Sequence, residues 1–295
     1  MSLVDYEGFD TFTSNSTPGL FDQAGGDTSA LGDGVFSYGR SWRSNQATSG
    51  LNGRNFSNRA EVFCNFHMRI DAIGTGTQQT WFSLQDAGTV QMGLRMSAAG
   101  ELVAVRGTTV VATSAYVYPT GAWVFVQVRA LIDNIAGVFQ VYVNGVQVIN
   151  FPGNTRQTAN NFVNQWRFNY NNGTLSQRTL IDNFVLYDPA AGSPNALTPE
   201  TRVYFDLPNA PGDTTQWTPS AGANWQNVDE NPPDGDTTYN SAASAPLTDL
   251  YAFPDTTVPG LATVYAVGQR MLVRKDDAGV NDVDFILRTG GSDFL

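Results

Sequence analysis

The segment at residues 121–151 constrains the fold more than any other part of the chain. It reads GAWVFVQVRALIDNIAGVFQVYVNGVQVINF, with three strand-like runs at 124–132, 138–143 and 146–151. Val, Phe and Tyr recur at every second position, which gives each run one apolar face. Asn144-Gly145 between the last two runs is the strongest short hairpin signal, because both residues accept positive φ. The segment therefore predicts a three-stranded antiparallel meander.

The composition favours a β protein and argues against nucleic acid as a partner. Only 15% of the 295 residues are charged, and Lys275 is the single lysine among 16 basic residues. Helical surfaces depend on Lys and Glu, so this composition disfavours helices. The net charge of −11 opposes binding to a phosphate backbone, which needs clustered Lys and Arg. We expect no nucleic-acid partner.

Cysteine usage and hydropathy suggest synthesis in the cytoplasm without secretion. Cys64 is the only cysteine, so no intrachain disulfide is expected, and its neighbours Phe63 and Phe66 predict a buried thiol. The N-terminus lacks the basic and apolar regions of a signal peptide. No apolar run approaches about 18 residues, so we expect no membrane span.

Strand-like segments recur through the first two thirds of the chain. At 62–70 apolar and polar residues alternate, which predicts a half-buried strand. Further strands are predicted at 81–85, 90–96, 102–106, 110–113, 166–170 and 180–187. A spacing of about 8 to 12 residues, with turn signals between, is typical of a sandwich or barrel.

The domain organisation follows from a change in composition near residue 190. We predict a β-sandwich at 1–190, a linker rich in Pro and small residues at 191–201, and a smaller β domain at 202–295. Strands in the second domain are predicted at 203–207, 262–274 and 283–288. The predicted fold class is all-β.

Candidate catalytic groups are sparse. Glycoside hydrolysis needs two carboxylates about 5 to 10 Å apart, and the nearest patterns are the pairs Asp5/Glu7 and Asp282/Asp284. Neither pair lies centrally in a strong strand, so we interpret them as solvated or edge acids. His67 is the only histidine, and on a strand it points away from Cys64. The sequence predicts no catalytic residue, no cofactor and no enzymatic activity.

Two further groups of side chains are candidates for binding. The acidic cluster Asp229, Glu230, Asp234 and Asp236 could ligate calcium, but it lacks EF-hand spacing and is interpreted as a solvated loop. We predict no metal site. Aromatic side chains can stack on sugar rings, although most sandwich tryptophans are core residues. The candidates for glycan or assembly contacts are Trp42, Trp166, Trp217 and Trp225, with Trp81 and Trp123 also considered.

The hairpin carries a resemblance to a known fold family. Gly121-x-Trp123, followed by alternating valines and then Tyr142-Val143-Asn144-Gly145, resembles the laminin-G/concanavalin A-like jelly roll. The run IDNFVLY at 181–187 looks like the closing strand of those domains. The resemblance implies a jelly-roll sandwich over about residues 1–190 and says almost nothing about function.

A second resemblance covers nearly the whole chain. Its motifs are YEGFD at 6–10, WTPS at 217–220, VDENPPDGDTTY at 228–239, Asp249-x-Tyr251, VRKDDAG at 273–279 and LRTGG at 287–291. In combination they resemble structural proteins of tailed bacteriophages. That resemblance implies a virion component of the tail, fibre or head-decoration type. It also implies virion localisation and assembly with other virion proteins and with copies of itself, trimers being common.

The leading functional expectation is therefore a non-enzymatic virion structural protein that decorates the capsid or tail. The jelly roll leaves two alternatives open. One is a host-glycan-binding adhesion module of a tail fibre, and the other is a polysaccharide depolymerase. If 283–288 lies at an open sheet edge, strand addition from a neighbouring subunit could complete the second domain.

Overall fold

The computed structural model describes residues 2–9, 23–24, 31–35, 40–43, 50–73, 80–170, 178–189, 198–231, 233–254, 263–276 and 282–294. The chain divides into two compact units, a first unit Met1–Phe205 and a second unit Asp206–Leu295. Residues 198–205 therefore belong to the first unit, although the sequence analysis assigned them to the linker and the start of the second domain. The remainder of the predicted linker, 191–197, lies outside the described residues.

The first unit is a sandwich of two antiparallel sheets. The eight-stranded sheet contains β1 (Ser2–Glu7), β3 (Leu31–Asp33), β4 (Arg40–Arg43), β6 (Glu61–Ala72), β11 (Trp123–Leu131), β12 (Gly137–Val143), β13 (Val146–Gly153) and β15 (Arg178–Asp188). The seven-stranded sheet contains β2 (Gln23–Ala24), β5 (Gly50–Arg59), β7 (Phe82–Asp86), β8 (Thr89–Met96), β9 (Glu101–Arg106), β10 (Thr109–Val117) and β14 (Val163–Tyr170).

The order of strands places β6 and β14 inside their sheets. The eight-stranded sheet runs β13-β12-β11-β6-β15-β4-β3, with β1 also paired to β15. The seven-stranded sheet runs β10-β9-β8-β7-β14-β5-β2. The predicted fold class, an all-β jelly-roll sandwich followed by a smaller β-rich region, is confirmed.

The predicted meander is also confirmed. Strands β11, β12 and β13 are consecutive neighbours, and Val143 pairs with Val146 across the turn. Asn144 has φ 49° and Gly145 has φ 80°, so both central residues of the turn adopt the positive φ that the sequence indicated. The inward residues of these strands join the sandwich core, where Phe139, Val141 and Val126 are buried.

The interior of the sandwich is filled by aromatic rings from both sheets. Phe66 of β6 lies 5.4 Å from Phe82 and 5.7 Å from Phe168, measured between ring centroids. The rings of Trp166 and Phe184 are 4.5 Å apart. Offset and edge-to-face contacts of this kind add to the free energy gained from burying the rings.

Strand β6 differs from its prediction, because both of its faces are buried. The outward face is covered by residues 198–201 of the same unit. Asn65 donates to Thr198 Oγ1, and the Gln127 side chain of β11 donates to the Thr198 carbonyl at 2.7 Å. The Thr198 amide in turn donates to Tyr187 Oη at 3.1 Å. Polar side chains of the outward face thus bond to a distant segment of the same unit.

The second unit has short elements and three two-stranded sheets. They pair β16 (Ala210–Thr215) with β19 (Asp249–Ala252), β17 (Thr218–Pro219) with β18 (Asn240–Ser241), and β20 (Leu287–Thr289) with β21 (Ser292–Phe294), while Asn224–Asn227 form a 3-10 helix. The sequence predicts strands at 203–207 and 262–274. The structure has no strand at the described residues of either range, because no partner strand pairs with them. No helix in the described ranges is long and apolar enough to cross a membrane.

Candidate functional site

Two of the four predicted contact tryptophans lie in the sandwich core. Trp42 is 3% exposed and stacks on Phe168 at 5.7 Å, while Trp166 is 0% exposed. Neither ring can meet a ligand at the surface. The prediction of glycan or assembly contacts through Trp42 and Trp166 is therefore wrong, and the reason is that both face the opposite sheet.

The remaining tryptophans divide into buried and half-exposed positions. Trp81 is buried. Trp123 is half-exposed, but the Arg69 guanidinium lies 5.6 Å from its ring centroid and is itself held by Asp71 at 2.8 Å. In the second unit Trp217 and Trp225 are half-exposed. Those two stay candidates for glycan or assembly contacts.

The carboxylates Asp5 and Glu7 form a structural cluster with Arg54. Arg54 Nη1 donates to Asp5 Oδ1 at 2.7 Å, and Nη2 contacts Glu7. Trp166 Nε1 donates to the other Asp5 oxygen at 2.6 Å. Glu7 is only 2% exposed, so Glu7 is not a solvated acid. Strand β1 pairs only with β15 among the described strands, which agrees with the other part of the interpretation, that of edge acids. Both carboxylates contact the one guanidinium, which ties each of them into a structural cluster.

His67 and Cys64 lie on opposite faces of β6. Cys64 is fully buried in the core, and burial raises the pKa of its thiol well above the ordinary value. His67 Nε2 lies 3.0 Å from Glu200 Oε1 on the outward face. Burial lowers the pKa of His67, and Glu200 opposes that shift. The buried thiol is confirmed, and the geometry excludes a Cys–His dyad from these two residues.

The acidic loop of the second unit is organised by a threonine. Thr238 Oγ1 lies 2.7 Å from Glu230 Oε1 and 2.8 Å from Asp234 Oδ2, so its single proton can be donated to either carboxylate. Asp236 contacts Arg274. Across the part of the chain that the structure describes, no group of three His, Cys, Asp or Glu side chains is placed to hold a metal ion. Asp282 and Asp284, the other candidate pair, are exposed.

The outward face of the seven-stranded sheet is polar, but its polar groups serve internal contacts. The fully buried Gln91 accepts the Gln157 amide at 2.6 Å and donates to Thr158 Oγ1 at 2.8 Å. Arg167, also fully buried, donates to the Arg54 carbonyl at 2.9 Å and to Asn55 Oδ1 at 2.8 Å. These contacts hold loops and strands together, so we assign this face a structural role.

The outward face of the eight-stranded sheet also carries polar side chains. Beyond residues 198–201 these side chains are accessible at the surface. There, neighbouring strands present a set of exposed and half-exposed polar side chains with one aromatic ring among them. We call this set the platform, and it consists of Glu61 of β6, Arg129 of β11, Gln140 and Tyr142 of β12, and Gln147 and Asn150 of β13.

The platform is ordered by side-chain contacts between adjacent strands. Gln147 Nε2 donates to Tyr142 Oη at 2.9 Å, and Gln140 Nε2 donates to Asn150 Oδ1 at 3.1 Å. Arg129 pairs in register with Gln140. Its guanidinium donates to Glu61 Oε1 at 2.7 Å. With strands about 4.8 Å apart, the four strands give a surface about 14 Å wide.

The chemistry of the platform suits a ligand with many hydroxyl groups. Tyr142 is half-exposed, and no ring or guanidinium of the described residues stacks on it. Each amide has donors and an acceptor, and the single bond between Gln140 and Asn150 uses one of each. The ring offers an apolar face beside a hydrogen-bonding hydroxyl.

Sequence reasoning missed the platform although part of its signal was present. Tyr142 and Gln140 alternate with the inward residues Val141 and Phe139, so their outward direction follows from the period of a strand. The registers with Gln147 and Asn150 depend on a bulge between Val141 and Tyr142. A one-residue shift in register changes which side chains are neighbours.

The comparisons with known proteins concern the sandwich. No family model and no curated protein matches the chain. Similar solved structures include a sialidase, at 13% identity and TM-score 0.44 over 64% of this chain and 19% of that one. The binding domain of Paraclostridial Mosquitocidal Protein 1 has 15% identity and TM-score 0.46 over 65% of this chain and 50% of that one. Domain 4 of the Geobacillus stearothermophilus arabinanase AbnA, in complex with arabinotriose, has 19% identity and TM-score 0.42 over 63% and 92%.

These neighbours correct the prediction that the chain is not an enzyme. The matched structures include sialidases, the alginate lyase Aly36B and an endo-β-1,4-glucuronan lyase. Enzymes are thus among the matched structures, and the exclusion of enzymatic activity does not stand. The chain spans 19% of the sialidase and 50% of the mosquitocidal binding domain. The structure neighbours are glycan-active or binding β-sandwich proteins, and the function of this chain is argued from its own surface.

Proposed function

We propose that the first unit binds carbohydrate through the platform on the outward face of the eight-stranded sheet. The observation that carries the proposal is the half-exposed ring of Tyr142, bordered by the Gln147 amide and by the Gln140–Asn150 pair. A sugar ring can place its C–H groups on the tyrosine and its hydroxyls on the amides. Tyrosine is rigid, so ordering it on binding costs little conformational entropy.

The charges of the platform favour a neutral glycan. Arg129 and Glu61 neutralise each other at 2.7 Å, and the other four side chains are uncharged. The guanidinium also lies 5.8 Å from the centroid of the Phe63 ring, which fixes its position. A polyanionic sugar would have to displace Glu61 from Arg129, and the net charge of −11 would repel it.

A glycan array with the purified full chain tests the proposal. We expect binding to one or more neutral glycans, and we expect Tyr142→Ala to lose at least about tenfold in affinity for them. Tyr204→Ala is the matched control, because Tyr204 is an exposed tyrosine of the same unit that lies off the platform. A tenfold loss is 1.4 kcal/mol, within the range of aromatic contacts at binding sites.

Different outcomes of the array would reject the proposed site and the proposed function. If Tyr142→Ala binds as the wild type does, the platform is not the site. If the wild type binds no glycan at all, the proposed function is wrong. Analysis of each bound glycan for shortened products tests the depolymerase alternative in the same samples.

We also propose that the chain is a component of a virion, as its resemblance to tailed-phage structural proteins implies. The observation that favours this is the second unit, where ten large apolar side chains are exposed after residue 260 in the described residues. Such exposure suits a protein that is covered by neighbours in an assembly. Antibodies against the purified protein should label intact phage particles. Failure to find the chain in purified particles would contradict the proposal.

A further inference from the structure

The second unit has almost no apolar core of its own. Leu250, at 9% exposure, is its only buried hydrophobic residue among those described. Its best-buried polar residues are Asn224 and Asn227. A folded unit of about 90 residues ordinarily derives most of its stability from buried apolar surface. The large apolar residues described in this unit lie mostly at its surface.

They are concentrated in one part of the chain, which we call the C-terminal stretch (263–276 and 282–294). Every described residue there is exposed except Ile286, which is half-exposed. The large apolar side chains exposed by 39% to 72% are Val264, Tyr265, Val267, Met271, Leu272, Val273, Val283, Phe285, Leu287 and Phe294. Single exposed apolar residues are normal, but so many in one stretch of the chain point to an interaction surface.

The backbone of the stretch is also available for pairing. Residues 263–276 form neither a strand nor a helix, although their sequence is typical of a strand. In the described part of the second unit each sheet has two strands, so β16, β19, β20 and β21 each have one edge without a described partner strand. Open edges accept an added strand through main-chain hydrogen bonds.

The charges of residues 263–276 indicate which surface they can pack against. The sequence at 206–252, which we call the acidic body, contains seven acidic residues and no basic residue. The sequence at 263–276 contains Arg270, Arg274 and Lys275 against the single acid Asp276. Within one chain the contact between Arg274 and Asp236 is highly exposed, at 66% and 71%. Residues 263–276 are therefore complementary in charge to the acidic body, whereas 282–294 contain Arg288 against three acidic residues and contribute mainly apolar side chains. The contact within the chain leaves Arg274 and Asp236 at the surface.

We propose that the C-terminal stretch of one copy packs against the acidic body of a second copy, so that the second unit is completed by self-association. Each copy carries both the apolar C-terminal stretch, with its basic segment 263–276, and the acidic body with open strand edges. When two copies exchange their C-terminal stretches, the stretch and the acidic body of both copies are covered. A different protein would cover both regions only if it carried an apolar basic segment and an acidic surface of its own. The stretch supplies 14 residues at 263–276 and 13 at 282–294, which matches the roughly 20–30 residues a side of a standard interface.

Light scattering coupled to size-exclusion chromatography of the full chain tests this proposal. We expect a mass of two or more chains for the wild type at micromolar concentration. The double variant Val267→Asp/Leu272→Asp should be monomeric, because it places charge in the apolar interface. Val146→Asp is the matched control: this valine is 66% exposed in the first unit, against 64% for Val267 and 72% for Leu272. A monomeric wild type, or a double variant that associates as the wild type does, would overturn the proposal.

A mixing experiment separates contacts between copies from contacts within one chain. One variant carries Arg270→Glu/Arg274→Glu, and the other reverses Asp229, Glu230, Asp234 and Asp236 to arginine. Each alone should be monomeric, and a mixture of the two should regain the wild-type mass. No recovery on mixing would contradict the proposed pairing. Circular dichroism of each variant confirms that it is folded, and glycan binding by the monomeric variants is independent of this result.

Discussion

The indole nitrogen of Trp166 donates a hydrogen bond of 2.6 Å to Asp5, and this bond joins the two sheets of the sandwich. Trp166 lies in β14 of the seven-stranded sheet, while Asp5 lies in β1 at the side of β15. The same carboxylate accepts Arg54 of β5 at 2.7 Å. The Asp5 carboxylate thus accepts the N–H of a buried tryptophan and pairs with the guanidinium of Arg54.

Removing that acid should destabilise the sandwich. In Asp5→Ala the buried indole N–H loses its acceptor, which costs about 1–3 kcal/mol, and Arg54 loses one of its two carboxylates. Urea unfolding of the first unit measures the change. Asp5→Asn keeps an acceptor for the indole and should lose less. Asp71→Ala is the control, because its pair with Arg69 is partly exposed and is worth about 0–1 kcal/mol. Equal losses for Asp5→Ala and Asp71→Ala would contradict a structural role for Asp5.

His67 should make the stability of the first unit depend on pH. Burial lowers its pKa below the ordinary 6.5, against opposing contributions from Glu200 and with a smaller lowering contribution from Arg202. The unfolded chain therefore binds a proton at higher pH than the folded chain does. This contribution to stability is present above about pH 6.5 and is lost as the pH falls through the lower, folded pKa.

The single histidine makes this measurement direct. The NMR titration of its ring should give a pKa below 6.5 in the folded protein. We expect the urea midpoint of the wild type to fall between pH 7.5 and pH 5.5 by more than that of His67→Gln, which has no group titrating there. Identical pH dependence in the two proteins would show that carboxylates alone cause the fall.

The period of the strands made the inward residues predictable from sequence. In β6 and in the meander every second residue is apolar, and those residues form the core, as Phe66 and Val126 illustrate. The outward face of β6 was not predictable in the same way. Asn65 and His67 are covered by residues 198–201, about 130 residues further along the chain, and local periodicity carries no signal of so distant a segment.

Residue type alone also failed to separate core tryptophans from surface ones. Trp42 and Trp166 are buried because of the face of the strand on which they lie. The four residues of β4 give the face of Trp42 little definition in sequence, and polar residues flank Trp166 on both sides. The strand predicted over the 263–274 segment failed for a different reason. Its sequence has strand character, but a strand requires a partner, and its partner cannot be read from its own residues.

Gly53 of β5 should be irreplaceable at the junction with β14. A Cβ at this position would lie 2.0 Å from the Trp166 carbonyl oxygen and 3.0 Å from the Arg167 Cα, so backbone would have to move. We expect Gly53→Ala to lose about 3 kcal/mol or more in urea unfolding. In Gly88→Ala the Cβ meets nothing within 4 Å, although φ is +87°. That control should cost only the backbone strain, about 1–2 kcal/mol, and a larger loss there than at Gly53 would refute the steric argument.

Asp249 should hold together the acidic body of the second unit. Its Oδ1 accepts the amides of Gln216 at 2.7 Å and Trp217 at 3.0 Å, while Oδ2 accepts Asn224 at 2.5 Å and Tyr251 Oη at 3.0 Å. Hydrogen bonds to a charged acceptor contribute about 1.5–3 kcal/mol each, and this unit has little apolar burial to replace them.

Hydrogen exchange resolves the effect by region. In Asp249→Ala we expect the amides of Gln216 and Trp217 to exchange at least about tenfold faster, since the loss of one such bond exceeds 1.4 kcal/mol. Peptides from β6 in the first unit should keep their wild-type rates. Asp213→Ala is the control, because Asp213 is 80% exposed and contacts Arg288 only at 3.5 Å. If Asp249→Ala leaves the exchange of residues 216–217 unchanged, the polar network does not stabilise this unit, and its order must come from the contacts that cover its apolar surface.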